Sequence, residues 1–290
     1  MAADTNVVEI STAGLGLVYR KRQSARRGGD IYFPALKEVD LEVGKGEFLS
    51  LVGPSGCGKS TFLYILAGLH KQTSGAAYIG GEEITGPSLN RGIIMQAYAL
   101  FPWRTIQKNV EFGLEVKGVP KPERQRIARE YIELVGLQEF ADHFPYELSG
   151  GMKQRIAIAR ALAYDPDVLL MDEPFAAVDE QTRGFLHEEL LRIWERTQKT
   201  IIFVTHSIDE AVLLSDRVAV MTPSPGTIRK IVDIPLPRPR TNALVNTEEF
   251  RKARNKVWQL LQTAGTATKE VKKEDGRVVL DTVLQEEVVF

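Results

Sequence analysis

Nine residues, Gly53-Pro-Ser-Gly-Cys-Gly-Lys-Ser-Thr61, constrain this chain more than anything else in it. They fit the pattern G-x-x-x-x-G-K-[ST], a loop whose backbone N–H groups curl round a phosphate. Such a loop works only between a strand and a helix, because the helix N-terminus adds its partial positive charge to the cradle. The flanks comply: Gly46–Val52 is an apolar, β-prone run and Thr61–Leu69 has helical character. The fold class is therefore α/β. Gly53, Pro54, Ser55, Gly56, Cys57, Gly58 and Thr61 form the expected cradle. Lys59 is expected to reach the β- and γ-phosphates, and Ser60 to offer a hydroxyl to Mg²⁺.

A mostly parallel sheet buried on both faces shows itself as short apolar runs with polar ends. Gly92–Gln96, Asp167–Asp172, Thr200–Thr205 and Arg217–Met221 all read this way. In a doubly wound sheet the carboxyl ends of such strands converge on one crevice, so the polar residues there deserve weight. Asp172 ends one run and is placed to hold the metal. Glu173 follows as a candidate general base for an attacking water. Gln96 and His206 end two more runs, Gln96 as a further metal ligand and both as catalytic candidates. Any one of these alone reads as an idle strand-end residue.

Between Gln96 and Asp167 the periodicity changes to helical. Arg124–Val135 and Ser149–Ala163 are the clearest segments, and a helical subdomain is expected at about 97–165, inserted into an α/β core. Leu236-Pro-Arg-Pro-Arg240 closes that core. Beyond it, Asn246 reads as a helix cap with Glu249 three residues on, leading into an amphipathic stripe of Phe250, Ala253, Val257, Leu260 and Leu261. Val7–Ile10 reads as a strand, and Arg20–Asp30 as a solvated basic loop. The division expected is a cassette at 6–240 and an extension at 241–290 with one amphipathic helix.

Composition excludes several classes. With 43% hydrophobic and 26% charged residues and a net charge of −1, the chain is an ordinary globular one with no bulk bias towards nucleic acid. One cysteine allows no internal disulfide and suits a reducing compartment. No apolar run is long enough to cross a bilayer, and Met1–Asn6 is unlike a signal peptide. A cytosolic chain is expected, one that works at a membrane only by docking there.

With Leu148-Ser-Gly-Gly-Met-Lys-Gln-Arg155 the pattern narrows, and over about residues 6–235 the chain resembles the ATP-binding cassette of ABC transporters. The Gly53–Thr61 loop, Gln96, Ser149-Gly-Gly, Asp172-Glu173, Asp179 and His206 occur in that family's order. The resemblance implies a P-loop NTPase cassette: a mostly parallel sheet core, an antiparallel β part and an inserted helical subdomain. It implies ATP and Mg²⁺ as ligands and two cassettes paired head to tail, with a second copy or a paralogue as partner. ATP on one cassette is then sealed by Ser149, Gly150 and Gly151 of the other, near Asp179. Met152 stands where many members carry Gln, and Ala176 where Ser is usual. Tyr19 is the expected adenine-stacking aromatic, with Tyr32 and Phe33 as rivals.

Leu100-Phe-Pro-Trp-Arg-Thr105, Met152 and the Pro-rich stretch 223–240 resemble an importer branch serving nitrate, sulfonate, taurine or bicarbonate. That branch implies a polytopic permease docked near Tyr98, Phe101 and Trp103, a solute-binding protein beyond it, and a peripheral place on the cytoplasmic face of the cell membrane. The alternatives are an importer for another solute and a soluble cassette ATPase of iron–sulfur assembly. Repair-type cassettes need coiled coils or Cys-rich modules that are missing here.

Overall fold

A computed structural model describes residues 7–21, 30–96, 98–176, 178–264, 268–274 and 277–283. In chain order the elements are β1 (Val8–Lys21), β2 (Ile31–Gly44), β3 (Phe48–Val52), α1 (Lys59–Leu66), β4 (Ser74–Ile79), β5 (Glu82–Glu83) and β6 (Arg91–Ile94). A helical stretch follows: α2 (Ile106–Val116), α3 (Lys121–Leu134) and α4 (Gly150–Ala163). The chain then runs through β7 (Val168–Asp172), α5 (Glu180–Thr197), β8 (Thr200–Val204), α6 (Ile208–Leu214), β9 (Arg217–Met221) and β10 (Ile228–Asp233). It ends in α7 (Glu248–Ala264) and a hairpin of β11 (Thr268–Glu274) and β12 (Arg277–Val283).

The central sheet has the order β10-β9-β3-β8-β7-β6, parallel except for β10. β3, β7 and β8 are buried at every position, as expected of strands covered on both faces. Their alternation sorts two cores. Leu49, Leu51, Leu170, Ile202 and Val204 face Phe62, Leu63 and Ile65 of α1 and the antiparallel sheet β2-β1-β4-β5. Phe48, Leu169, Met171 and Phe203 face the other way, onto a core shared with α2, α3, α4 and α5. A third cluster joins Val218 and Val220 to α6 and to Phe250 and Val257 of α7. Each fully buried Phe or Leu in these layers contributes roughly 1.5–3 kcal/mol.

The expected strands and helices are present, with boundaries shifted for identifiable reasons. β1 and β2 each run 14 residues, far beyond Val7–Ile10. Register shifts between Thr12 and Leu15 and again near Leu17 break the alternation that would reveal so long a strand. Arg20, expected in a loop, lies in β1 opposite Tyr32 and pairs with Asp30; residues 22–29 of that expected loop lie outside the described ones. Helix α3 starts at Lys121, three residues before Arg124, because Pro122 sits in the first turn where its missing N–H costs nothing. The cap of α7 is Thr247, whose hydroxyl accepts from Phe250 N at 3.3 Å; Asn246 instead ends a short 3₁₀ turn. The extension also holds the β11–β12 hairpin, which the sequence left unassigned.

Candidate functional site

The loop at 53–58 leaves β3 at the carboxyl edge of the sheet and delivers Gly58 as the N-cap of α1. Gly58 takes φ 105°, and a Cβ there would lie 2.8 Å from Ala35 O and 2.7 Å from Leu36 Cδ2. The glycine is thus required by β2 packing behind the loop and by its own positive φ. Lys59 Nζ donates to Gly53 O at 2.9 Å and to Pro54 O at 3.0 Å, so its ammonium lies over the mouth of the loop. Cys57 is buried behind it.

The end of β7 meets this loop. Ser60 Oγ donates to Asp172 Oδ1 at 2.9 Å. Asp172 is only 3% exposed. Burial raises its carboxyl above the ordinary value, hydrogen bonds from Ser60 and Tyr64 pull it back, and Glu173 pushes it up again. The Tyr64 phenol is in turn raised to about 12, by burial first and then by Asp172. Tyr64 lies four residues after Ser60 on α1, one turn along the same face, a spacing that would have revealed it in the sequence.

Glu173 turns the chain sharply, with φ 44°, while its N–H donates to Val204 O at 3.0 Å. A non-glycine residue in that region stores strain of about 1–3 kcal/mol, and such strain concentrates at working sites. The turn aims the carboxylate at His206, whose Nδ1 is 3.3 Å from Glu173 Oε2. His206 itself is 67% exposed along its side chain. Gln96 stands exposed just past β6.

A cavity of about 400 Å³ opens over the loop, lined by Tyr19, Phe33, Ser55, Gly58, Lys59, Ser60, Thr61 and Glu173 among others. Tyr19 and Phe33 face each other across β1 and β2, whereas Tyr32 pairs with Arg20. The Tyr19 hydroxyl lies 3.2 Å from Thr61 Oγ1 and 3.1 Å from His70 Nδ1, which fixes the ring while leaving the residue 41% exposed. A larger cavity, about 790 Å³, lies at the opposite edge of the sheet against Trp194. Its arginines are already engaged, Arg217 by Glu47 and Arg238 by Asp216.

Ser149, Gly150, Gly151 and Asp179 do not line the 400 Å³ cavity. Ser149 caps α4, accepting from Met152 N at 3.3 Å. A Cβ on Gly151 would lie 2.7 Å from Thr182 Cγ2, so α4 approaches α5 closely there. Asp179 caps α5 through Thr182 N at 3.0 Å.

The segment after Gln96 is held from within. Asn109, fully buried, accepts from Phe101 N at 2.8 Å and donates to Phe101 O, Arg104 O and Thr105 O. Arg160 of α4 donates to Ala99 O at 2.6 Å and Tyr98 O at 2.9 Å, residues with φ of 49° and 59°. Of the three aromatics singled out in the sequence, Trp103 is 73% exposed, while Tyr98 packs on the core and Phe101 on Phe112.

Comparison with known proteins fits this geometry. The ABC transporter family model matches residues 36–176. An uncharacterized ABC transporter ATP-binding protein of Methanocaldococcus jannaschii is 56% identical over 218 residues, 75% of this chain and 82% of the relative. The chain belongs to the ABC transporter family. As a member it is a nucleotide-binding cassette that hydrolyses ATP, built on the P-loop fold expected from the sequence. The nitrate import ATP-binding protein NrtD of Synechocystis is 46% identical over 242 residues, 81% of this chain and 90% of the relative. The aliphatic sulfonates import protein SsuB of Bacillus cereus is 46% identical over 230 residues, 79% and 89%. A cassette solved as a dimer in a post-hydrolysis state with ADP and phosphate has a TM-score of 0.67 at 33% identity, covering 78% of this chain and 98% of that one. No helix among the described residues of the cassette is long and apolar enough to cross a membrane.

Proposed function

We propose that this cassette powers import of a small anion of the nitrate, sulfonate, taurine or bicarbonate kind through a separate permease, as a peripheral subunit on the cytoplasmic face of the membrane. The observation that carries the catalytic assignment is the Glu173–His206 pair beside the Ser60–Asp172 hydrogen bond, at one edge of the sheet. The relatives named for nitrate and sulfonate import, similar over most of both chains, support the transport class.

In this reading ATP lies over the 53–61 loop, with loop N–H groups and the start of α1 around the β-phosphate and Lys59 on the β- and γ-oxygens. The adenine stacks on Tyr19, with Phe33 across the strand pair as its neighbour. Glu173 accepts a proton from the attacking water, and His206 orients that carboxylate and faces the γ-phosphate. Ser60 and Asp172, a hydroxyl and a carboxylate already 2.9 Å apart, are the hard oxygen donors that Mg²⁺ prefers, with Gln96 as a further candidate. The metal would neutralise charge shared between the β- and γ-phosphates. The buried Asp172 is stabilised as an anion when such charge is beside it. Ser149, Gly150 and Gly151, remote from the cavity of their own chain, act on the nucleotide of a second cassette, and Asp179 belongs to that same contact. Trp103 is the exposed element of the permease contact, with Tyr98 and Phe101 beneath it.

The test is affinity purification of the tagged cassette from gently solubilised native membranes. A polytopic protein recovered in roughly equal amount, and recovered less with Trp103→Ala while ATP turnover stays unchanged, supports the reading. Recovery of soluble partners alone points to a soluble cassette ATPase instead.

A further inference from the structure

Glu210 is a buried carboxylate outside the nucleotide site whose neighbours lead back to that site. It lies on α6 at 7% exposure. Its Oε2 accepts from Thr205 Oγ1 at 2.5 Å, and Thr205 is the residue immediately before His206. Its Oε1 lies 3.3 Å from His187 Nε2 and 3.8 Å from Arg183 Nε, both on α5. Arg183 extends the connection, since its Nη2 donates to Val178 O at 2.8 Å, the carbonyl immediately before Asp179. The ring of His187 stands edge-on to Phe175 with centroids 5.1 Å apart, and Phe175 lies two residues after Glu173. One carboxylate thus gathers the segment carrying His206 and, through two side chains of α5, both ends of the segment between Glu173 and Asp179.

Packing does not require a charge there. An apolar residue of similar volume would fill the space, and burying a carboxylate costs free energy unless it is paired and hydrogen-bonded. Burial by itself would raise the carboxyl of Glu210; its hydrogen bonds with His187 and Thr205, and the charges of His187 and Arg183, bring it below the usual range instead. Each carboxylate oxygen thus has one hydrogen-bond partner, while Arg183 Nε at 3.8 Å contributes charge rather than a hydrogen bond; a buried network of this kind rigidifies what it connects.

We infer that Glu210 is a positioning residue that locks the His206 segment to the Val178–Asp179 turn, so that the group orienting Glu173 and the turn assigned to the second cassette move as one body. This rests on the catalytic assignment of Glu173 and His206 proposed above. The consequence is kinetic: without the lock, nucleotide still binds the 53–61 loop, but Glu173 and His206 spend less time aligned.

The experiment compares ATP turnover of the purified full chain with that of Glu210→Gln, Arg183→Met, the double variant and Glu173→Gln. Glu210→Gln is expected to lower kcat about tenfold with KM for ATP within twofold of the parent, and Arg183→Met to do the same more weakly. The double variant should be no slower than Glu210→Gln, because both break one connection. Unchanged kcat in Glu210→Gln, a loss carried by KM instead, or losses that multiply in the double variant each overturn the inference. If Glu210→Gln does not fold, Arg183→Met decides alone, and parental turnover there overturns it. Turnover that survives in Glu173→Gln removes the catalytic assignment itself, and the inference with it; turnover lost in Glu173→Gln but kept in Glu210→Gln sinks only the lock.

Discussion

The Gly53–Thr61 loop and the Ser149–Gly151 turn use the same chemistry, glycines opening the N-terminus of a helix, yet they sit in opposite circumstances. The first is enclosed. Gly58 is pressed against β2, Lys59 is bonded to two loop carbonyls, and Ser60 is bonded to Asp172 at the end of a fully buried strand. The second is held by its own cap and lies against the side of α5, and it does not line the cavity over the loop. On the function proposed above, one half of a phosphate site is finished within the chain, and the other half is offered to a second cassette. The difference teaches that burial and internal bonding, rather than motif, separate the two, and on that proposal they mark which half grips nucleotide and which acts on assembly.

That contrast can be broken at its strongest point. Glu173→Gln removes the proposed base but keeps the enclosed half, so turnover should fall on the order of a thousandfold while ATP binding survives. Light scattering at millimolar ATP should then show a stable dimer; a variant that stays monomeric would remove the reason for the outward-facing half. Ser149→Arg attacks that half instead. Turnover should drop roughly tenfold to a hundredfold, while titration of a fluorescent ATP analogue gives the parental affinity for the isolated chain. Weakened binding in the monomer would mean that the turn serves its own nucleotide, and the contrast would collapse.

The smallest effect belongs to a position in neither half. Thr247→Ala deletes the cap of α7 and should cost about 1 kcal/mol, which lowers the melting temperature by roughly 2–4 °C. Basal turnover should not change. A larger loss of activity than of stability, read by calorimetry beside the ATPase assay, would tie the extension to catalysis.

Much of the enclosed half was legible in the sequence because its chemistry is local. The loop, Lys59 and Ser60 are contiguous, and Asp172, Glu173 and His206 each close an apolar run whose burial on both faces is written in its composition. The 53–61 loop, a mostly parallel core and a helical insertion expected at about 97–165, where α2, α3 and α4 lie, were read from local pattern. What was not legible depends on contacts between segments far apart in the chain. Asn109 pins the 101–105 turn through four hydrogen bonds, yet in sequence it is one polar residue on a helix. Glu210 reads as an ordinary acidic residue in the first turn of α6 until β8 and α5 are placed around it. The length of β1 was hidden by its bulges, and the cap of α7 by two neighbouring residues that can both cap.

Helix α4 carries Ser149 at one end and, eleven residues on, Arg160, whose guanidinium holds the carbonyls of Tyr98 and Ala99. The two points are separated by about 16 Å of uninterrupted helix. Its backbone hydrogen bonds run between the two points, so a displacement at one end is shared by the other. On the function proposed above, a push on the aromatic segment beside Trp103 would reach the serine and glycines at the far end through this helix. On the same proposal the helix would also carry the arrival of a nucleotide on a facing molecule back to the surface where Trp103 is 73% exposed.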